Sequence, residues 1–153
     1  MHMHQTPDST QAACACTSLR KAARAVSRVY DHALSGTGLT TAQFSILRHI
    51  ARDGDQPLSR LADALVMDRT SLYRALGPMT RQGWIAVTDR PPGRTKIAAL
   101  TDSGRAAMDR AADCWESAQS HLVAALGPDR WADLEAALHE VVGIAAPAPE
   151  PSA

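Results

Sequence analysis

Very little of this sequence is aromatic. Phe, Trp and Tyr together make up 4 % of the 153 residues. So few large flat side chains, in a chain rich in alanine, argue against a sheet protein and for closely packed helices. Lysine is nearly missing as well, with two against fourteen arginines. Arginine suits bidentate contacts to phosphate or guanine, although GC-rich coding produces the same bias. The three cysteines, Cys14, Cys16 and Cys114, are an odd number at a spacing that fits no zinc site. Reduced thiols are expected. No apolar run reaches 18 residues, which excludes a membrane-spanning helix. The first ten residues lack the charged-then-apolar pattern of a secretory signal, so a cytoplasmic location is expected. There is no HExxH, Walker loop, GxSxG or paired-carboxylate constellation, and the six histidines do not cluster at ligand spacing. No enzyme activity, cofactor or metal is expected.

What is present is a globular composition, 45 % apolar, of a length that suits one domain. The net charge of zero hides a segregation. Residues 58–96 carry seven basic side chains against three acids, whereas residues 97–153 carry three against nine. One face is built to meet phosphate and another to stay away from it.

Periodicity divides the chain. Residues 1–14 read as a flexible arm, and 146–153, with three prolines, as a disordered tail that cannot be helical. Residues 15–145 form the folded body. A first helix over about 16–35 carries one apolar stripe from Leu19 to Leu34, with Arg20, Arg24, Arg28 and His32 stepping by four along another face. Thr40 or Thr41 caps a second helix to residue 53. After a short extended piece at Pro57 and Leu58, Ser59 is the expected cap of a third helix, through Val66. Asp68 caps a fourth, over about 69–82. Period-two segments at 84–88 and 96–100 flank Arg90-Pro91-Pro92-Gly93-Arg94 and predict a hairpin. Two further helices follow, over about 102–126 and 129–143. The expected class is mainly α with a small β-hairpin wing, a winged helix-turn-helix.

The fourth helix buries Leu72 and Leu76, so Arg69, Thr70, Tyr73 and Arg74 point outward, with Ser71 at the edge of the exposed face. Hydroxyls and arginines in the first turns of such a helix reach base edges and phosphates. Arg81, Arg90, Arg94 and Lys96 extend the basic face, and a hairpin tip enters a minor groove readily. For any one exposed arginine the plain alternative is solvation; the arrangement carries the reading. The first and last two helices offer stripes that a second copy of the chain would cover. A homodimer on a pseudo-palindromic duplex is therefore expected, with recognition helices ~34 Å apart. The alternative is a winged-helix protein-interaction module without DNA binding.

Leu39-Thr40-x-x-Gln43-Phe44-x-x-Leu47, Leu61-Ala62, Thr70-Ser71-Leu72-x-Arg74-x-Leu76, Gly83-Trp84-Ile85, Asp89-Arg90 and Leu100-Thr101-x-x-Gly104 stand in one order and spacing. In these features the chain resembles the MarR family of transcriptional regulators over roughly residues 15–143. The resemblance implies dimerisation through helices at about 16–35 and 102–143, a DNA-binding lobe over about 40–101, and control of genes, commonly as a repressor. It departs from the family in two places. Arg90-Pro91-Pro92-Gly93-Arg94 replaces the usual Asp-Arg-Arg run of the wing, and Tyr73 stands where a small hydroxyl residue is common.

The resemblance also implies a signal. Cys16 lies 23 residues before Leu39, as does the reactive cysteine of the organic-peroxide-sensing branch, and Tyr30 falls where that branch has a supporting tyrosine. A second supporting tyrosine is replaced by Thr41, and Cys114 is the candidate resolving thiol. The rival signal is a small aromatic effector, with Arg24, Arg28, His32, Arg48 and Trp115 as the candidate binding residues.

Overall fold

The computed structural model describes residues 13–146. The expected arm up to residue 12 and the Pro-rich tail from residue 147 lie outside the described residues. The elements run α1 (Ala15–Leu34), α2 (Thr41–Asp53), β1 (Gln56–Pro57), α3 (Leu58–Ala64), α4 (Arg69–Arg81), β2 (Ile85–Arg90), β3 (Thr95–Leu100), α5 (Asp102–Leu126) and α6 (Pro128–Ala145). The chain is mainly helical with a small antiparallel sheet, the winged helix-turn-helix class that the periodicity predicted.

The sheet has three strands rather than the two of the expected hairpin, in the order β1-β3-β2. Gln56 pairs with Ala98, and Pro57 with Ile97. Two residues, one of them proline, carry no readable period. Proline is tolerated here because β1 is an edge strand and no partner needs its missing N–H.

Local signals set the helix starts. Thr40 caps α2 with a full capping box: its hydroxyl accepts from the Gln43 amide at 3.2 Å, and its own amide donates to Gln43 Oε1 at 3.0 Å. Asp68 caps α4 by accepting from the Ser71 amide at 2.8 Å. Ser59 is not the cap of α3. That helix opens at Leu58 with Pro57 in the cap position, because Leu58 is drawn into the core, and Ser59 is left exposed in the first turn. Pro78 sits inside α4 and offers no N–H to the Arg74 carbonyl, while the Thr80 hydroxyl donates to the Leu76 carbonyl at 2.9 Å.

Two compact units divide within α5, after Trp115. In the first, Leu34, Leu47, Ile50, Leu61, Leu72 and Met79 fill a core that Ala107 and Ala111 of α5 also enter. Ile85 and Ala98 close it from the sheet. The β2–β3 pairing continues from Ile85–Leu100 to Arg90–Thr95, so the exposed hairpin tip projects beyond the core. The base of the hairpin is tied to α5 by Thr101. Its hydroxyl shares a proton between the carbonyls of Gly83 at 2.5 Å and Trp84 at 3.0 Å, and accepts from the Gly104 amide at 3.0 Å. Of the expected stripe on α1, only Tyr30 and Leu34 are buried, and Leu19 and Val29 are exposed.

The second unit holds the end of α5 and α6. Ala118 is buried, but α6 buries no residue, and Leu134, Leu138, Val141, Val142 and Ile144 stand exposed. Among the described residues no helix is long and apolar enough to cross a membrane.

Candidate nucleic-acid interface

Leu72, Leu76 and Met79 anchor α4 in the core. That fixes the opposite face outward: Arg69, Thr70, Tyr73, Arg74, Pro78 and Arg81 are all exposed. Arg90 and Arg94 are exposed on the hairpin. Among the described residues, none of these five arginines has a carboxylate within 4 Å; the ion pairs present are Arg52–Asp53 at 2.8 Å and Lys96–Asp89 at 3.3 Å. Exposed and unpaired guanidinium groups give no net benefit to the fold by ion pairing, and they remain available to an external anion.

Ser71 differs from its neighbours. Its hydroxyl donates to the Asp68 carboxylate at 2.7 Å, and together with its amide it holds Asp68 below the ordinary 3.8. Of the hydroxyl candidates on α4, Ser71 is thus already engaged in the cap, while Thr70 is not.

Arg69, Tyr73, Arg94 and Lys96, four of the nine candidates, line one cleft of about 400 Å³ together with Ser59 and Thr95. Thr70, Arg74, Arg81 and Arg90 lie outside it. Between α3 and α4 the turn places Val66 at φ 52°, 69 % exposed. A β-branched residue is strained in that left-handed region.

The five effector candidates separate. The Arg48 guanidinium lies 3.9 Å from the centroid of the Trp115 ring. Phe44 stacks on the same indole at 5.8 Å, and Tyr30 is tilted against it at 6.4 Å. Burial raises the Tyr30 phenol above its ordinary 10.0, against the pull of Arg48. Beside this group, Thr41, Phe44, Ser45, Arg48, His49 and Arg52 line a cavity of about 310 Å³. Arg24, Arg28 and His32 are exposed on α1, and none of them lines that cavity.

The redox candidates separate too. Cys16 is exposed in the first turn of α1, Tyr30 is buried, and Cys114 is half-buried against the core. Cys16 and Tyr30 are fourteen residues apart on one helix, or ~21 Å along its axis, so within one chain the phenol does not reach the thiol. The residue missed from sequence is Cys14, at the cap position of α1 and exposed. The Thr17 hydroxyl and then its amide hold the Cys14 thiol below its ordinary 9.0. A helix read from residue 16 leaves Cys14 outside the cap; the start at Ala15 brings its thiol to the helix N-terminus, where the thiolate is favoured.

A family described as a winged helix DNA-binding domain matches residues 39–104. The crystal structure of the transcriptional regulator MosR of M. tuberculosis is 36 % identical, with a TM-score of 0.73, over 86 % of this chain and 96 % of that one. The chain belongs to the MarR family. A second structure of that MarR-type regulator, in complex with DNA, is 34 % identical with a TM-score of 0.76, over 88 % of this chain and all of that one. The repressor CouR bound to a 23-mer DNA duplex is 26 % identical with a TM-score of 0.76, over 84 % and 92 %. MarR of E. coli complexed with operator DNA, at 23 % identity, shares the fold, with a TM-score of 0.74 over 82 % and 91 %. No curated protein matches the chain significantly. The MarR family and these neighbours are transcriptional regulators rather than enzymes.

Proposed function

We propose that the chain is a sequence-specific DNA-binding repressor that acts as a homodimer on a pseudo-palindromic operator. The observation that carries this reading is the row of unpaired arginines, Arg69, Arg74 and Arg81 on α4 and Arg90 and Arg94 on the hairpin. α4 enters the major groove, with Thr70 and Arg74 at base edges. The hairpin tip with Arg90 enters the flanking minor groove, and Arg69, Tyr73, Arg81, Arg94 and Lys96 contact the backbone. The uncovered apolar faces of α1 and α6 support pairing with a second copy. MosR and CouR, which resemble this chain, have structures with DNA bound.

Release follows from a small aromatic anion entering the cavity beside Arg48 and Trp115. Arg48 meets its charge and Phe44 its ring. A second signal, thiol oxidation, has its support at Cys14 with Cys16 two residues on, both exposed.

Selecting duplexes from a random pool with the purified chain tests the main reading. Binding should enrich an inverted repeat, and log affinity should fall steeply with log salt. A chain that enriches nothing, or that binds with no salt dependence, is a protein-interaction module instead.

A further inference from the structure

The cleft of about 400 Å³ between α3, α4 and β3 has an apolar floor at Leu58 and Leu72 and a polar rim. Ser59, Tyr73 and Thr95 bring hydroxyls, Arg69, Arg94 and Lys96 bring cations, and no acid lines it. Ser59 was expected to cap the start of α3. With Pro57 in that role, its hydroxyl has no hydrogen-bond partner among the described residues. Arg69 and Arg94 likewise have no carboxylate within reach among the described residues. Lys96 leans to Asp89 at 3.3 Å, longer than the ~2.7–2.9 Å of a strong charge-assisted bond. Many idle donors around one space with no negative partner make a seat for an oxyanion. The space is more than ten times the ~30 Å³ of a water, so a tetrahedral anion fits together with the chain that continues from it.

Building on the DNA-binding reading, we infer that Ser59, Arg69 and Arg94 together hold a single phosphate of the DNA backbone. Each comes from a different element: Ser59 from the helix before the turn, Arg69 from the start of the recognition helix, and Arg94 from the wing. One anion held by all three ties the wing to the recognition helix, so the two grooves are entered in a single register. Ser59 is thereby a DNA-contact residue.

The test uses the full chain and a duplex that it has selected from a random pool. Each phosphodiester is replaced in turn by an uncharged methylphosphonate. Wild type, Ser59→Ala, Arg69→Ala and Arg94→Ala are titrated against every duplex. The expected result is one linkage per bound chain whose neutralisation weakens wild type by more than about tenfold, the scale of a single charge-assisted contact. On that duplex the three variants bind as wild type does. On the native duplex Ser59→Ala weakens binding without changing the salt slope, whereas Arg69→Ala lowers the slope by about one. All three side chains are exposed, and melting curves of the variants should overlay wild type. Losses that map to different linkages, or that persist undiminished at every neutralised linkage, overturn the shared seat and leave DNA binding standing. Wild-type affinity in Ser59→Ala overturns the role of Ser59. A chain that selects no duplex overturns the DNA-binding reading itself.

Discussion

The Asp31 carboxylate accepts two hydrogen bonds from Thr41, the amide at 2.9 Å and the hydroxyl at 2.6 Å. A side chain near the end of α1 thereby satisfies an orphan N–H at the start of α2 and places negative charge where the helix dipole favours it. Removing it should lower stability by about 1 kcal/mol, the scale of a helix cap. The pH dependence has a definite sign. The Thr41 hydroxyl, then its amide, holds the Asp31 pKa below the ordinary 3.8. A depressed pKa contributes stability in full above the unfolded value and loses it as pH falls through the folded one. Urea midpoints of wild type and Asp31→Ala should therefore differ constantly near neutrality and converge below 3.8. A gap that persists at the lowest pH would show that the carboxylate is not the cause.

Gly104 leaves no room for a side chain. A methyl group there collides with the Trp84 carbonyl oxygen and presses the Leu100 side chain at 2.8 Å. Because the obstacle is backbone, it cannot swing aside. Gly104→Ala should cost about 3 kcal/mol, at the upper end for overpacking, and lower the melting temperature by several degrees or more. An unchanged melt would mean that the junction of hairpin and α5 moves freely.

Val66 is a site of strain that substitution can relieve. Its positive φ costs an L-residue about 1–2 kcal/mol, and its exposed side chain loses little packing if removed. Val66→Gly should stabilise the chain by about 1 kcal/mol once the larger entropy of the unfolded glycine is deducted. Chemical denaturation checks this through the midpoint at an unchanged slope.

Arg74 lies outside the cleft that Arg94 lines, so the two are expected to act independently. Arg74→Ala should weaken binding and relax preference at one base pair by about 1–3 kcal/mol. Selection of duplexes by the variant would reveal the relaxed position. Preference that is intact at every position, with only the salt slope reduced, would make Arg74 a phosphate contact instead.

The apolar face of α6 should hold two copies together. Leu138→Glu places a charge amid Leu134, Val141 and Val142 without disturbing any buried residue of that helix. Sedimentation velocity should show a dimer for wild type and a monomer for the variant at micromolar concentration. Helical content by circular dichroism should change little for the first unit. A wild type that sediments as a monomer removes the dimer from the proposal.

Much of the fold was legible because its signals are short-range. Leu72, Leu76 and Met79 return every three or four residues, and Asp68 stands just before α4, so the helix and its start follow from neighbours in the chain. The basic face was legible for the same reason: once three positions are inward, the rest of the turn is outward. The extended piece at Pro57 was legible, but its place in the sheet was not, because the pairing of Gln56 with Ala98 depends on a strand far along the chain. The Gln56 side chain is buried at 2 % exposure, with its Oε1 lacking a partner among the described residues, a cost no local pattern announces.

The amino-acid order by itself determined which segments are helical, where the capped starts of α2 and α4 fall and which faces carry charge, since hydrogen bonds and side-chain periodicity act within a few residues. Only the tertiary structure decided which of those faces share a space. Packing against a common core set Ser59 and Arg94 around one cleft and laid Arg48 over Trp115. Such meetings depend on how distant elements exclude water together, and no window of consecutive residues contains that information.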